Sequence, residues 1–135
     1  MTAQQIYELA SSFLYEADGD DADSKSFALG FLNVLLQEAL ETENSIRRFK
    51  GTAELTEAPY LTALTETISY DGAITRGALP YGLASFYYQE AMDNFQAENY
   101  RGKFVAALNA ANKATSTTVE DQYYFPHEEI EGEDE

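Results

Sequence analysis

The sequence contains no cysteine, so neither disulfides nor thiolate-held metals can brace its fold, and nothing in it argues for an oxidising compartment. It has one histidine, His127, beside Pro126 in an acidic C-terminal stretch, so a histidine-centred triad would have to be built from a terminal segment. Neither a Gly-x-Ser-x-Gly elbow nor a Gly-rich phosphate loop occurs. Hydrolase and nucleotide-binding chemistry therefore lack their usual residues, and no catalytic residue and no cofactor is expected. No apolar run approaches the roughly 20 residues that cross a bilayer. Met1 to Tyr15 carries Glu8, no base and only spaced apolar positions, unlike a secretory signal, so synthesis in the cytoplasm without a membrane partner is expected. Basic residues are also few: 8 Lys and Arg face 24 Asp and Glu, a net charge of −16. Attraction to nucleic acid rests on Lys and Arg displacing counterions, so this balance counts against a binder of the phosphate backbone.

What is present fits one domain. A chain of 135 residues with 44% hydrophobic and 24% charged residues can bury a core and is too short for two independent ones. The acidity is uneven. Residues 120 to 135 hold Glu120, Asp121, Glu128, Glu129, Glu131, Glu133, Asp134 and Glu135 without a Lys or Arg, half of the net charge. The expectation is an all-α fold: a bundle of about four helices over 1–115, with an irregular connector, and an extended acidic tail or arm over 116–135.

Thr2-Ala3-Gln4-Gln5 reads as a capping box. The helix it opens carries Ala3, Ile6, Tyr7, Ala10, Phe13, Leu14 and Ala17 at spacings of three and four, one apolar stripe. The run from Glu16 to Asp23 breaks that pattern, and a second helix is predicted from about Ser24 to Phe49, with Gly51 taking the left-handed terminal conformation. Ala28, Phe31, Leu32, Leu35, Ala39 and Ile46 form its stripe. Leu29, Leu36 and Leu40 lie to one side, a surplus that predicts either a central helix or a subunit interface. Between Thr52 and Asp71 the spacing is irregular, and Leu61, Leu64 and Ile68 hint at a short helix. A third helix is predicted between Arg76 and Glu90, with Pro80 in its first turn, and Gly77 and Gly82 allowing close approach. A fourth begins near Asp93 or Asn94, carries Ala97, Tyr100, Phe104, Ala107, Leu108 and Ala111, and fades near Thr115, where β-branched residues favour extended chain.

Metal chemistry finds no complete pattern. Glu38 and Glu41 are one turn apart, but the Glu-x-x-His partners of a dimetal bundle are missing, so they read as a solvated helix face. Asp18, Asp20, Asp21 and Asp23 alternate like calcium ligands, yet the sixth and twelfth positions are Asp23 and Leu29 rather than Gly and Glu. No metal site is expected. Arg47, Arg48 and Lys50 are the only basic cluster, read first as complementing the helix dipole and second as a contact for nucleic acid or an acidic neighbour. Tyr123-Tyr124-Phe125-Pro126 places three aromatics beside the acidic terminus, where they either fold back on the core or dock on another chain.

The central third carries a likeness. Ile68-Ser69-Tyr70, Ile74-Thr75-Arg76-Gly77-Ala78-Leu79-Pro80-Tyr81-Gly82-Leu83-Ala84, Met92-Asp93-Asn94 and Tyr100-Arg101-Gly102-Lys103-Phe104 with Leu108 resemble tailed-bacteriophage head-tail connector (adaptor) proteins. The resemblance implies an adaptor-like domain over 1–115 that forms a homo-oligomeric ring, commonly dodecameric, at the neck of the virion. Its implied partners are the portal protein and a stopper or tail-completion protein, with DNA passing through the lumen unread. Leu29, Leu36, Leu40, Tyr123, Tyr124 and Phe125 would then be inter-subunit or partner contacts. A reading from another class, a soluble acidic inhibitor that mimics DNA, predicts acids arrayed along an exposed face; here they concentrate in one loop and one tail.

Overall fold

Thr2 opens the fold as the sequence predicts. Its hydroxyl accepts the Gln5 amide N–H at 3.2 Å while Gln5 Oε1 accepts the Thr2 N–H at 2.9 Å, satisfying two of the donors a helix start leaves orphaned. A computed structural model of the chain describes residues 1–14 and 22–124, with side chains for 1–14 and 25–115. Among these residues the protein is all-α, and its one strand-like pairing is a single bridge between Thr2 and Thr67.

The first helix, α1 (Ala3–Ser11), buries Ala3, Ile6, Tyr7 and Ala10. It stops earlier than its apolar spacing predicts: the N–H groups of Ser12, Phe13 and Leu14 donate three residues back, to the carbonyls of Leu9, Ala10 and Ser11 at 3.1, 3.0 and 3.1 Å, a tightened closing turn. Phe13 turns inward to stack on Tyr81 and Tyr100, with centroids 5.1 and 5.5 Å away. Its carbonyl accepts the Tyr88 hydroxyl at 2.7 Å.

The second helix, α2 (Ala22–Lys50), spans about 44 Å at the rise of an α-helix. Ala28, Leu32, Leu35, Leu36 and Ala39 are fully buried along it. It ends as predicted at Gly51, with φ +77°, where the Gly51 and Thr52 N–H groups reach back to the carbonyls of Arg48 and Arg47. That is a complete Schellman closure.

From Thr52 the chain folds back as a strap along α2. Asn44 grips Leu55 from both sides, its Nδ2 donating to the Leu55 carbonyl at 3.0 Å and its Oδ1 accepting the Leu55 N–H at 2.8 Å. Asn33 grips Leu61 in the same way, at 3.1 and 2.7 Å. The two asparagines are eleven residues apart, about three turns, so one face of α2 carries both clamps. The strap then meets the start of α1, where Gln4 and Ala3 donate to Leu64 and Glu66, and Ile68 donates to Met1. The irregular connector expected here forms, without the short helix that Leu61, Leu64 and Ile68 hint at: these backbone groups are taken by the start of the chain and by α2, and Leu61 and Ile68 are buried in irregular chain.

The Asp71 carboxylate caps a single-turn helix, α3 (Gly72–Thr75), by accepting the Ala73 N–H at 2.9 Å. Gly77 follows because a Cβ there would run into the Ala73 carbonyl oxygen. The helix predicted from Arg76 therefore begins later, as α4 (Leu79–Glu90), with Pro80 in its first turn as expected. At Gly82 a Cβ would lie 2.7 Å from Leu35 Cδ2 and 2.9 Å from Phe104 Cδ1, so the missing side chain lets α2 and the last helix meet across α4. The last helix, α5 (Asn94–Tyr124), starts from Asp93, whose carboxylate accepts the Gln96 N–H at 3.1 Å. Its fully buried anchor is Phe104. Helical backbone continues past the expected fading point at Thr115. The Thr115 hydroxyl satisfies itself within the helix by donating to the Asn112 carbonyl at 2.8 Å, and the weak β preference of the threonines does not stop the helix.

Candidate interaction surface

The side chains proposed as contacts sort into three groups. Leu36 is wholly enclosed by its own chain, so it has no surface for a neighbour. Leu29 is half-buried and packs against the same core, and Leu40 is half-buried. Part of this apolar surplus is used within the chain: α2 is covered by α1, α4, α5 and the strap, and a helix with four neighbours needs a broad apolar surface. Tyr123 and Tyr124 form the last residues of α5, in helical rather than extended backbone. Phe125, His127 and the acids from Glu128 lie outside the described residues, as do Asp18, Asp20 and Asp21.

Arg47, Arg48 and Lys50 form no common basic patch. Arg47 Nε meets Glu43 Oε2 at 2.6 Å while its two terminal nitrogens donate to the carbonyls of Ala53 and Ser69, at 3.0 and 3.1 Å. Glu43 in turn accepts the Asp71 N–H at 2.7 Å, so one buried ion pair ties both ends of the strap to α2. Arg48 pairs with Glu54 at 3.1 Å, and that hydrogen bond raises its pKa. Lys50 pairs with Asp71 at 2.8 Å. Their hydrogen bond raises the Lys50 pKa and, with the Ala73 N–H, lowers that of the Asp71 carboxyl. Tyr70, whose hydroxyl donates to the Leu36 carbonyl at 2.7 Å, is pushed up to about 12 by burial and by the nearby Glu43. The cluster is a fastening for the strap.

Glu38 and Glu41 hold cations of the protein itself. Glu38 pairs with Arg101 at 2.7 Å and Glu41 with Arg48 at 3.6 Å. The Glu38–Arg101 pair borders a recess of about 340 Å³ between α2, α4 and α5, lined also by Ser85, Phe86 and Gln89. Among the described residues no three His, Asp or Glu side chains converge to hold a metal, and no helix is long and apolar enough to cross a membrane.

The most exposed large apolar side chains lie where the sequence reading did not look. Met92 is 84% exposed and Phe95 79%, both at the turn joining α4 to α5, and Tyr60 on the strap is 77% exposed. A signal for Phe95 was available: it stands nine residues before Phe104, about two and a half turns, and so on the opposite side of α5 from the buried anchor. Met92 gave no such signal, because it adopts φ +65°, a conformation that sequence reading reserves for Gly or Asn. Compared with protein-family models, with curated proteins and with solved structures, the chain matches none.

Proposed function

We propose that the chain is a structural subunit of a phage neck, an adaptor that assembles as a ring below the portal, joins capsid to tail and lines the DNA channel without catalysing a reaction. The observation that carries this reading is the hairpin made by the motif residues: Leu79-Pro80-Tyr81-Gly82 opens α4, Gly82 admits Leu35 and Phe104, and α5 returns with Tyr100 stacked on Tyr88 at 5.6 Å. Two further features support it. The net charge of −16 suits a lumen that repels the DNA backbone and lets it slide. The single basic cluster is engaged with Glu43, Glu54 and Asp71 of the same chain, which leaves it poorly suited to grip phosphates. Cryo-electron microscopy of virions, with the protein located by antibody or by a tagged copy, tests the proposal. Density for a ring of this chain at the neck is expected, and its absence from the neck overturns the assignment.

A further inference from the structure

The turn between α4 and α5 is closed by a complete Schellman motif. The Met92 N–H donates to the Gln89 carbonyl at 3.0 Å and the Asp93 N–H to the Tyr88 carbonyl at 2.9 Å. The left-handed position of this motif favours glycine, yet Met92 occupies it, at φ +65°, with its side chain almost wholly in solvent. At 84% exposure the Met92 side chain gains little packing to offset that strain. Phe95 stands three residues on, almost equally exposed. α2 runs opposite to α4, with Leu35 beside Gly82 and Phe31 5.1 Å from Phe86, so Phe27, 45% exposed and one turn earlier on α2, lies toward the same end of the bundle.

Along the turn and its flanks the charge has one sign, while Lys25 stands two residues before Phe27 on α2. Glu90, Asp93 and Glu98 are exposed, and no Lys or Arg occurs from Gly77 to Tyr100. We propose that Met92 and Phe95 form an apolar knob with an acidic collar that seats in a socket on a different protein, an apolar pocket rimmed by Lys or Arg. Charge decides between a foreign partner and a second copy. Of the 8 basic residues in this chain, Arg47, Arg48, Lys50 and Arg101 pair with its own carboxylates, and the other four, Lys25, Arg76, Lys103 and Lys113, stand at separate places in the sequence, so a second copy offers no run of bases to rim the socket. Strain kept at an exposed residue is accounted for when the side chain it displays is what a partner reads.

Photo-crosslinking tests the assignment. A benzophenone amino acid replaces Phe95 in the full chain produced in its native cell, the crosslinked peptide is identified by mass spectrometry, and the mapped protein is purified and titrated with wild type, Phe95→Ser and Met92→Gly. A peptide from another protein with Lys or Arg beside the attachment point is expected. Binding should weaken about tenfold or more with either substitution, as for buried anchors at other interfaces, and should weaken on adding salt. Met92→Gly should at the same time raise the Tm of the isolated chain by about 2–4 °C. Crosslinks confined to a second copy, no crosslink, unchanged binding by both variants, or a lowered Tm for Met92→Gly each overturn the inference. If the mapped protein is no neck component, the ring proposal falls while the knob stands; a ring at the neck with Phe95 uncrosslinked has the reverse meaning.

Discussion

The C-terminal ends of α2 and α4 are closed by the same pair of backbone hydrogen bonds and differ in what is placed upon them. At the end of α2 the left-handed residue is Gly51, and the strap that follows is bound down by Asn44, Arg47, Glu43 and Lys50. At the end of α4 the left-handed residue is Met92, and the turn displays Met92 and Phe95 to solvent, held by the local Asp93 cap. One end is relaxed and fastened, and the other is strained and open. A closure of equal geometry thus serves anchoring in one place and display in the other, and the side chains around it decide which.

The fastened end breaks most completely at Arg47. Replacing it with Ala leaves Glu43, whose side chain is 4% exposed, as a buried charge without its cation and frees the carbonyls of Ala53 and Ser69. Arg47→Ala should destabilise the protein by about 3 kcal/mol, near the lower limit for splitting a buried pair because Arg47 itself keeps some solvent contact. Urea unfolding followed by circular dichroism measures it, and a loss well under 1 kcal/mol would mean that the strap does not depend on this pair. Asn44→Ala removes one acceptor and one donor from Leu55 and should cost about 2 kcal/mol. Hydrogen exchange should show the Leu55 amide losing protection ahead of Leu61, which Asn33 still holds.

Exchanging the special residues of the two ends sharpens the comparison through opposite signs. Gly51→Ala forces a Cβ into the left-handed region and should cost about 1 kcal/mol, with no steric neighbour to add to it, since nothing stands within 4 Å of that Cβ. Met92→Gly should stabilise by about 1 kcal/mol, since the side chain it removes contributes little burial. Paired thermal melts of the two variants check the signs. Equal destabilisation by both would show that Met92 is held by packing and that the contrast between the ends is false.

Local signals were legible in the sequence and remote ones were not. The Thr2–Gln5 capping box, the left-handed Gly51, Pro80 in the first turn of α4 and the Asp93 cap each depend on residues within a few positions, and each stands where it was expected. The path of the strap depends on Asn33 and Asn44, polar residues on an apolar helix whose partners lie 28 and 11 residues away, a distance that periodicity does not encode. The same holds for the basic cluster. A helix-end dipole accounts for Arg47, Arg48 and Lys50 as a group, but their individual carboxylate partners became identifiable only once the strap was in place. Among the surplus leucines of α2, Leu36 shows why a count of apolar positions does not distinguish a neighbour in the same chain from one outside it. The display site was missed because Met92 breaks the local rule by which such turns are recognised.

The smallest expected effect lies in the outermost fastening, Lys50 with Asp71, where solvent screens the pair and pH is the sharper probe. Asp71 has its pKa lowered in the fold from 3.8, so its contribution is present above that value and is lost as pH falls through the folded pKa beneath it. Lys50 has its pKa raised from 10.5, so its share is complete below that value and is lost as pH rises through the folded pKa above it. The stability difference between wild type and Lys50→Met should therefore be small and flat across neutral pH and should close at both extremes. Tyr70 adds an alkaline limb common to both proteins, because a phenol held at about 12 in the fold and near 10.0 when unfolded favours unfolding as pH rises between the two. Tyr87, also raised by burial, contributes to the same limb, so Tyr70→Phe should reduce it in urea titrations without altering the acid limb. An alkaline limb unchanged in Tyr70→Phe would assign it to Tyr87 alone and leave the hydroxyl bond to Leu36 without a role in the fastened end.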